Sequence, residues 1–207
     1  YAEGQERVEI DVKKMGSAAE IGPATDAAWV QDPRTGVQSL LIVSQGGAAW
    51  INPATGERRI VRADPVTTIP RISKAFTIVQ PAPGASPIAL QTPTFGDHAI
   101  SAYDPSTGHV LWTYAPSGRG MISSATPVRG RDGTCTVFIQ RELEDAAEQI
   151  SMDGTLIRHY ADWGNGDGDA AGTLDLGPRG TAVLSADRGW LVLREPDGNE
   201  LWRGRPD

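Results

Sequence analysis

The most chemically loaded stretch of the chain is Asp162-Trp-Gly-Asn-Gly-Asp-Gly-Asp169. Asn165, Asp167 and Asp169 alternate along it with Asp162 just upstream, so side-chain oxygens recur as the ligands of a calcium loop do. Two positions depart from the helix-loop-helix pattern: Ala170 stands where a glycine is needed, and Leu176 where a bidentate glutamate is needed. The same run also suits a solvated connection, because loops collect Asp, Asn and Gly. Trp163, inside the run, and Trp190 are candidates to stack on a sugar ring, since an aromatic face suits the apolar face of a pyranose. His98, His109 and His159 are the three histidines, each in a different strand context, and they read as surface or satisfied positions. There is neither a Gly-x-Ser-x-Gly elbow nor a Gly-x-x-x-x-Gly-Lys phosphate loop. The residues nominate groups that could hold a ligand and no catalytic residue.

Composition narrows the setting. The 207 residues carry 19 Lys and Arg against 26 Asp and Glu, a formal net charge of −7. An acidic balance counts against nucleic acid as a partner, because the phosphate backbone needs a basic face. Cys135 is the single cysteine, which rules out an intramolecular disulfide and a cysteine-based zinc cluster. No run approaches the roughly 18 apolar residues of a membrane span. A tether or export signal would have to come from outside these residues.

The 24 glycines and 15 prolines imply frequent turns and short elements. Four phrases recur: Trp50–Ile60 around Asn-Pro-Ala-Thr-Gly56, Ala102–Trp112 around Asp-Pro-Ser-Thr-Gly108, Gln149–Arg158 around Met-Asp-Gly154, and Leu193–Trp202 around Pro-Asp-Gly198. Their glycines stand 52, 46 and 44 residues apart, the repeat length of propeller blades. Within each repeat, short runs rich in Val, Ile, Thr and aromatics alternate with turn residues, which predicts four strands per unit. The expectation is an all-β chain of four four-stranded blades at about 25–63, 70–115, 122–161 and 170–205, stacked radially because each sheet has two faces to cover. Residues 1–24 form an N-terminal extension with one alternating strand, Arg7–Lys13. Only Glu142–Glu148 reads as helical. The ring is either complete with four blades or part of a larger one. Arg58, Arg59 and Arg62 read as charges that keep an edge strand from pairing with strangers.

Ala102-x-Asp104-x-x-Thr107-Gly108-x-x-x-Trp112 resembles the tryptophan-docking motif of the quinoprotein-type (PQQ-like) β-propeller superfamily, and Gly198 with Trp202 keeps part of it. Asp104 and Thr107 can bond turn amides, Gly108 can take positive φ, and Trp112 can cover the next blade. The third phrase has Arg158 where that tryptophan belongs. The acidic run resembles, more distantly, the calcium-binding repeats of integrin-type propellers. The resemblance implies a propeller fold. Its quinone-dependent members carry calcium, a catalytic aspartate and often a disulfide between adjacent cysteines, and Cys135 alone excludes that disulfide. Its scaffolding members imply a non-catalytic module that presents loops to a protein partner outside the cytoplasm: secreted, periplasmic or at the cell surface. The alternatives are a quinone- or calcium-dependent oxidoreductase, a polysaccharide-active enzyme, and a carbohydrate-binding module.

Overall fold

The computed structural model describes residues 21–64, 75–82, 84–93, 97–118, 120–141, 146–161, 163, 172–187 and 189–205. They form four antiparallel sheets of four strands each, every sheet a meander whose strands pair in chain order. The first holds β1 (Asp26–Gln31), β2 (Gln38–Ser44), β3 (Gly47–Ile51) and β4 (Arg58–Arg62). The second holds β5 (Ala75–Val79), β6 (Ile88–Thr92), β7 (Ile100–Tyr103) and β8 (Val110–Tyr114). The third holds β9 (Ile122–Arg129), β10 (Cys135–Arg141), β11 (Ala147–Ser151) and β12 (Leu156–Tyr160). The fourth holds β13 (Gly172–Asp175), β14 (Thr181–Asp187), β15 (Trp190–Arg194) and β16 (Glu200–Gly204). Each sheet falls within one of the four predicted units. The predicted strand Arg7–Lys13 lies outside the described residues. Of the predicted helix Glu142–Glu148, its last two residues open β11 instead, where Ala147 pairs with Gln140 and Tyr160. Burial explains that difference: Ala147 and Glu148 are both fully enclosed on a sheet.

The sheets stack through apolar seams. Val30, Leu41, Val43 and Trp50 of the first sheet meet Phe76, Ala89 and Tyr103 of the second. The second seam joins Leu90, Ile100 and Ala102 to Val137, Ile139 and Ile150, with Cys135 beside them. Burial raises the Cys135 thiol pKa above its ordinary value, so it behaves as a small apolar side chain. The third seam joins Val128, Phe138 and Ala147 to Val183 and Trp163. Packing between sheets is concentrated where β1 and β2 meet β5, β6 meets β9, and β9 meets β14.

At one end of the stack, the turn between each sheet's third and fourth strands repeats the same chemistry. In the second sheet, the Asp104 carboxylate accepts from the Ser106 amide at 2.7 Å and the Thr107 hydroxyl at 3.0 Å, while the Gly108 amide donates to the Asp104 carbonyl. The residues opening the four turns are Asn52, Asp104, Ser151 and Glu195, and each accepts the amide of its turn glycine through its own carbonyl. In every sheet, the fourth-strand residue paired with the residue two before this turn is Arg59, Trp112, Arg158 or Trp202.

This register position ties each sheet to the next. Arg59 donates to the Ser106 carbonyl at 3.3 Å, Trp112 Nε1 to the Met152 carbonyl at 2.9 Å, and Arg158 to the Asp197 carbonyl at 3.1 Å. Where the position is arginine, an aromatic ring lies under the guanidinium: Trp50 beneath Arg59 at 5.1 Å, Tyr160 beneath Arg158 at 5.7 Å. Those rings also donate across the seam, Trp50 Nε1 to the Pro105 carbonyl at 2.8 Å and the Tyr160 hydroxyl to the Pro196 carbonyl. Thus three seams share one joint: a ring N–H or O–H reaches the carbonyl just after the opening residue of the next sheet's turn. Arg158 keeps the role by other means, and Arg59, which also pairs with Asp32 at 2.8 Å, is a seam clamp rather than an edge charge.

Candidate functional site

A recess of about 340 Å³ opens at the turn end of the seam between the third and fourth sheets. Its walls bring together Arg129 at the end of β9, Arg131 and Asp132 in the following turn, Arg158 on β12, Arg179, and Glu195 with Asp197 in the β15–β16 turn. Four arginines face three carboxylates there, a basic spot on a protein of net charge −7. The sheets position them because first-to-second and third-to-fourth turns of a meander emerge at the same end. Arg179 stands on a single 3-10 turn, Gly177–Arg179, that links β13 to β14.

Most of these charges are held. Arg129 donates to the carbonyls of Gly133 at 2.8 Å and Gln80 at 3.1 Å, so it links the third sheet to the second. Arg131 forms an ion pair with Glu195, and Asn199 donates to the other carboxylate oxygen at 3.3 Å. The hydrogen bonds from Arg131 and Asn199 hold the Glu195 carboxyl below its usual range, with the nearby positive charges of Arg131 and Arg179 adding to the effect. Asp132 is lowered by the Thr134 amide and hydroxyl. The Arg179 guanidinium makes no hydrogen bond or ion pair among the described residues, and it is exposed at the rim. It is the group with spare capacity for an incoming anion, and a guanidinium suits a carboxylate bidentately.

A carboxylate whose pKa is depressed on folding contributes stability above its unfolded value of about 4.3, and that contribution is lost as pH falls through the folded value. Wild-type melting temperature is therefore expected to fall more steeply than that of Glu195→Gln between about pH 5 and pH 3. Thermal melts of both proteins across that range check this, and parallel curves would refute it.

The residues singled out from sequence are distributed differently. Asp162, Asn165, Asp167 and Asp169 lie outside the described residues, and among the described ones no three His, Cys, Asp or Glu side chains gather as a metal site. Trp163 is only 2% exposed. Its ring packs against Phe138 at 4.6 Å and Tyr160 at 4.9 Å, with Arg194 over it at 5.1 Å. It is core of the third seam and has no face left for a sugar, because the chain after β12 folds it under the sheets. Trp190 is half-buried, and Arg205 covers its ring at 4.4 Å. His109 bonds Asp64 at 2.9 Å, and His159 bonds Glu148 at 3.2 Å. The recess itself was not legible in sequence, since its arginines are spread from residue 129 to 179 with no local signature.

The sequence matches no protein-family model and no curated protein. Solved structures do match. Raptor from Chaetomium thermophilum aligns with a TM-score of 0.54 at 14% identity over 90% of this chain and 16% of its own. Apo AztD from Citrobacter koseri aligns with a TM-score of 0.52 at 11% identity over 89% of this chain and 47% of its own. AztD is a β-propeller. The fold here is a β-propeller too. This chain spans about half the length of AztD and a smaller share of Raptor.

Proposed function

We propose that this propeller is a non-catalytic binding or scaffolding module of the PQQ-like type, and that its turn face receives a protein partner carrying acidic side chains. The observation that carries the reading is the arginine recess at the third seam. Arg179, an exposed guanidinium without a bond among the described residues, stands there among charges that are otherwise fixed on rigid sheets. Seams locked by ring-to-carbonyl joints leave the turns as stationary presenters, and loops on a rigid scaffold are where binding residues collect. An extracytoplasmic setting, secreted, periplasmic or at the cell surface, fits this role. No helix among the described residues is long and apolar enough to cross a membrane.

The test is titration of the protein with a fluorescently labelled Glu-rich peptide, followed by anisotropy at rising salt. Binding is expected to weaken with salt, and Arg179→Glu is expected to weaken it at least tenfold. Arg34→Ser, on the first sheet's turn, serves as the control and leaves it unchanged. Binding that ignores Arg179, or no binding at all, would overturn the assignment.

A further inference from the structure

The recess at the third seam has a charge balance as well as an open guanidinium. Four arginines and three carboxylates line it, which leaves one net positive charge. The comparable recess at the first seam, about 270 Å³, sets Arg34 and Arg59 against Asp32 and Glu57 and carries no net charge. A single surplus charge matches a single carboxylate. A phosphate dianion or a run of acidic residues would bring more negative charge than the recess balances, and the excess would lie beside the carboxylates of its own walls, where like charges cost affinity.

The placing of those carboxylates says what stands next to the incoming anion. Glu195 is buried, and its two oxygens are taken by Arg131 and Asn199. Asp197, two residues on, is exposed at the rim. One of its carboxylate oxygens accepts the Asn199 amide at 3.0 Å, and the other has no partner among the described residues. The Asp197 carbonyl accepts from Arg158 at 3.1 Å, so the turn that carries this charge is fastened to the third sheet. Between the two acids stands Pro196, half-buried, with its carbonyl accepting the Tyr160 hydroxyl. Its ring offers apolar surface to the methylene stem of a long side chain. One recess thus presents a place for an anion at Arg179 and a place for a cation at Asp197.

We propose that the turn face selects a mixed-charge segment of its protein partner: one Asp or Glu that pairs with Arg179, adjoining a Lys or Arg that pairs with Asp197. This selection rests on the reading of the recess as the acceptor of an acidic partner, and it gives that partner a charge pattern. An acidic residue alone satisfies Arg179, but a second one beside it is repelled by Asp197. An acidic residue next to a basic one satisfies both walls. Each exposed pair is weak, so the discrimination comes from the change of sign between attraction and repulsion.

Three fluorescently labelled peptides of equal length test this on the full chain by anisotropy at low salt: Glu alternating with Ser, Lys alternating with Ser, and Glu alternating with Lys. The Glu–Lys peptide is expected to bind at least about threefold tighter than either of the others. Asp197→Asn keeps the oxygen that holds the Asn199 amide and removes the charge, and is expected to abolish the preference over the Glu–Ser peptide; Asp197→Ser repeats the test if that variant fails to fold. Glu57→Gln, at the first-seam recess, changes the net charge equally and is expected to keep the preference. A Glu–Ser or Lys–Ser peptide that binds as tightly as the Glu–Lys peptide, or a preference that survives loss of the Asp197 charge, would overturn the mixed-charge assignment and leave the acidic-partner reading standing. Binding of none of the three, or binding of both Glu-containing peptides indifferent to Arg179→Glu, would remove the two together.

Discussion

Gly108→Ala is expected to destabilise the protein by at least about 3 kcal/mol, against about 1 kcal/mol for Gly56→Ala at the matching position one sheet earlier. Both glycines adopt left-handed φ, +83° and +71°, and both would carry the strain that a side chain meets there. The difference is what surrounds them. A Cβ at 56 meets nothing within 4 Å, whereas a Cβ at 108 would fall on the Arg62 carbonyl oxygen of the preceding sheet. The backbones cannot move apart cheaply, because the Asp64 amide donates to the Gly108 carbonyl at 2.8 Å and His109 holds the Asp64 carboxylate. Urea unfolding of the two variants isolates the seam contribution from the turn contribution. Equal midpoints would show that the first seam does not depend on this close approach.

Trp112→Ala is expected to cost about 3–4 kcal/mol, the range for truncating a packed aromatic. The ring packs against the second apolar cluster and its N–H reaches the Met152 carbonyl. Trp112→Phe keeps most of the contact and loses the hydrogen bond, and should cost about 1 kcal/mol for the bond plus a smaller packing loss. The partner surface sharpens the test. A Cβ at Gly154 would lie 2.8 Å from Trp112 Cγ, so Gly154→Ala is costly only while the indole is present. In the Trp112→Ala background its cost should fall to that of positive φ alone, about 1 kcal/mol. A double-mutant cycle by urea denaturation reads the coupling directly, and additive losses would mean that the ring and the turn act independently.

These two sites also show how much was readable in advance. The Asp104–Gly108 turn is local chemistry: the carboxylate accepts from the amide two residues on and the hydroxyl three residues on, so its residue types announce it. Trp112 was assigned its docking role from the motif alone. Arg158 was read as a departure from the motif, yet it reaches the same turn end through a guanidinium with Tyr160 beneath it. Only the strand register puts Arg59, rather than Ile60, at that height in the first sheet, because the other three sheets carry a bulge just before the turn and the first does not.

The sequence by itself determined the number of sheets, the number of strands in each and the turns that begin each return strand. Those depend on short runs of β-forming residues bounded by turn residues and on side chains bonding their own neighbouring backbone, interactions that span a few residues. The tertiary structure alone decided which groups face each other across a seam. It turned Trp163 from an open aromatic into core and gathered Arg131, Arg158, Arg179 and Glu195 into one recess. Such pairings join residues tens of positions apart, and their distances are set by how sheets pack rather than by any pattern along the chain.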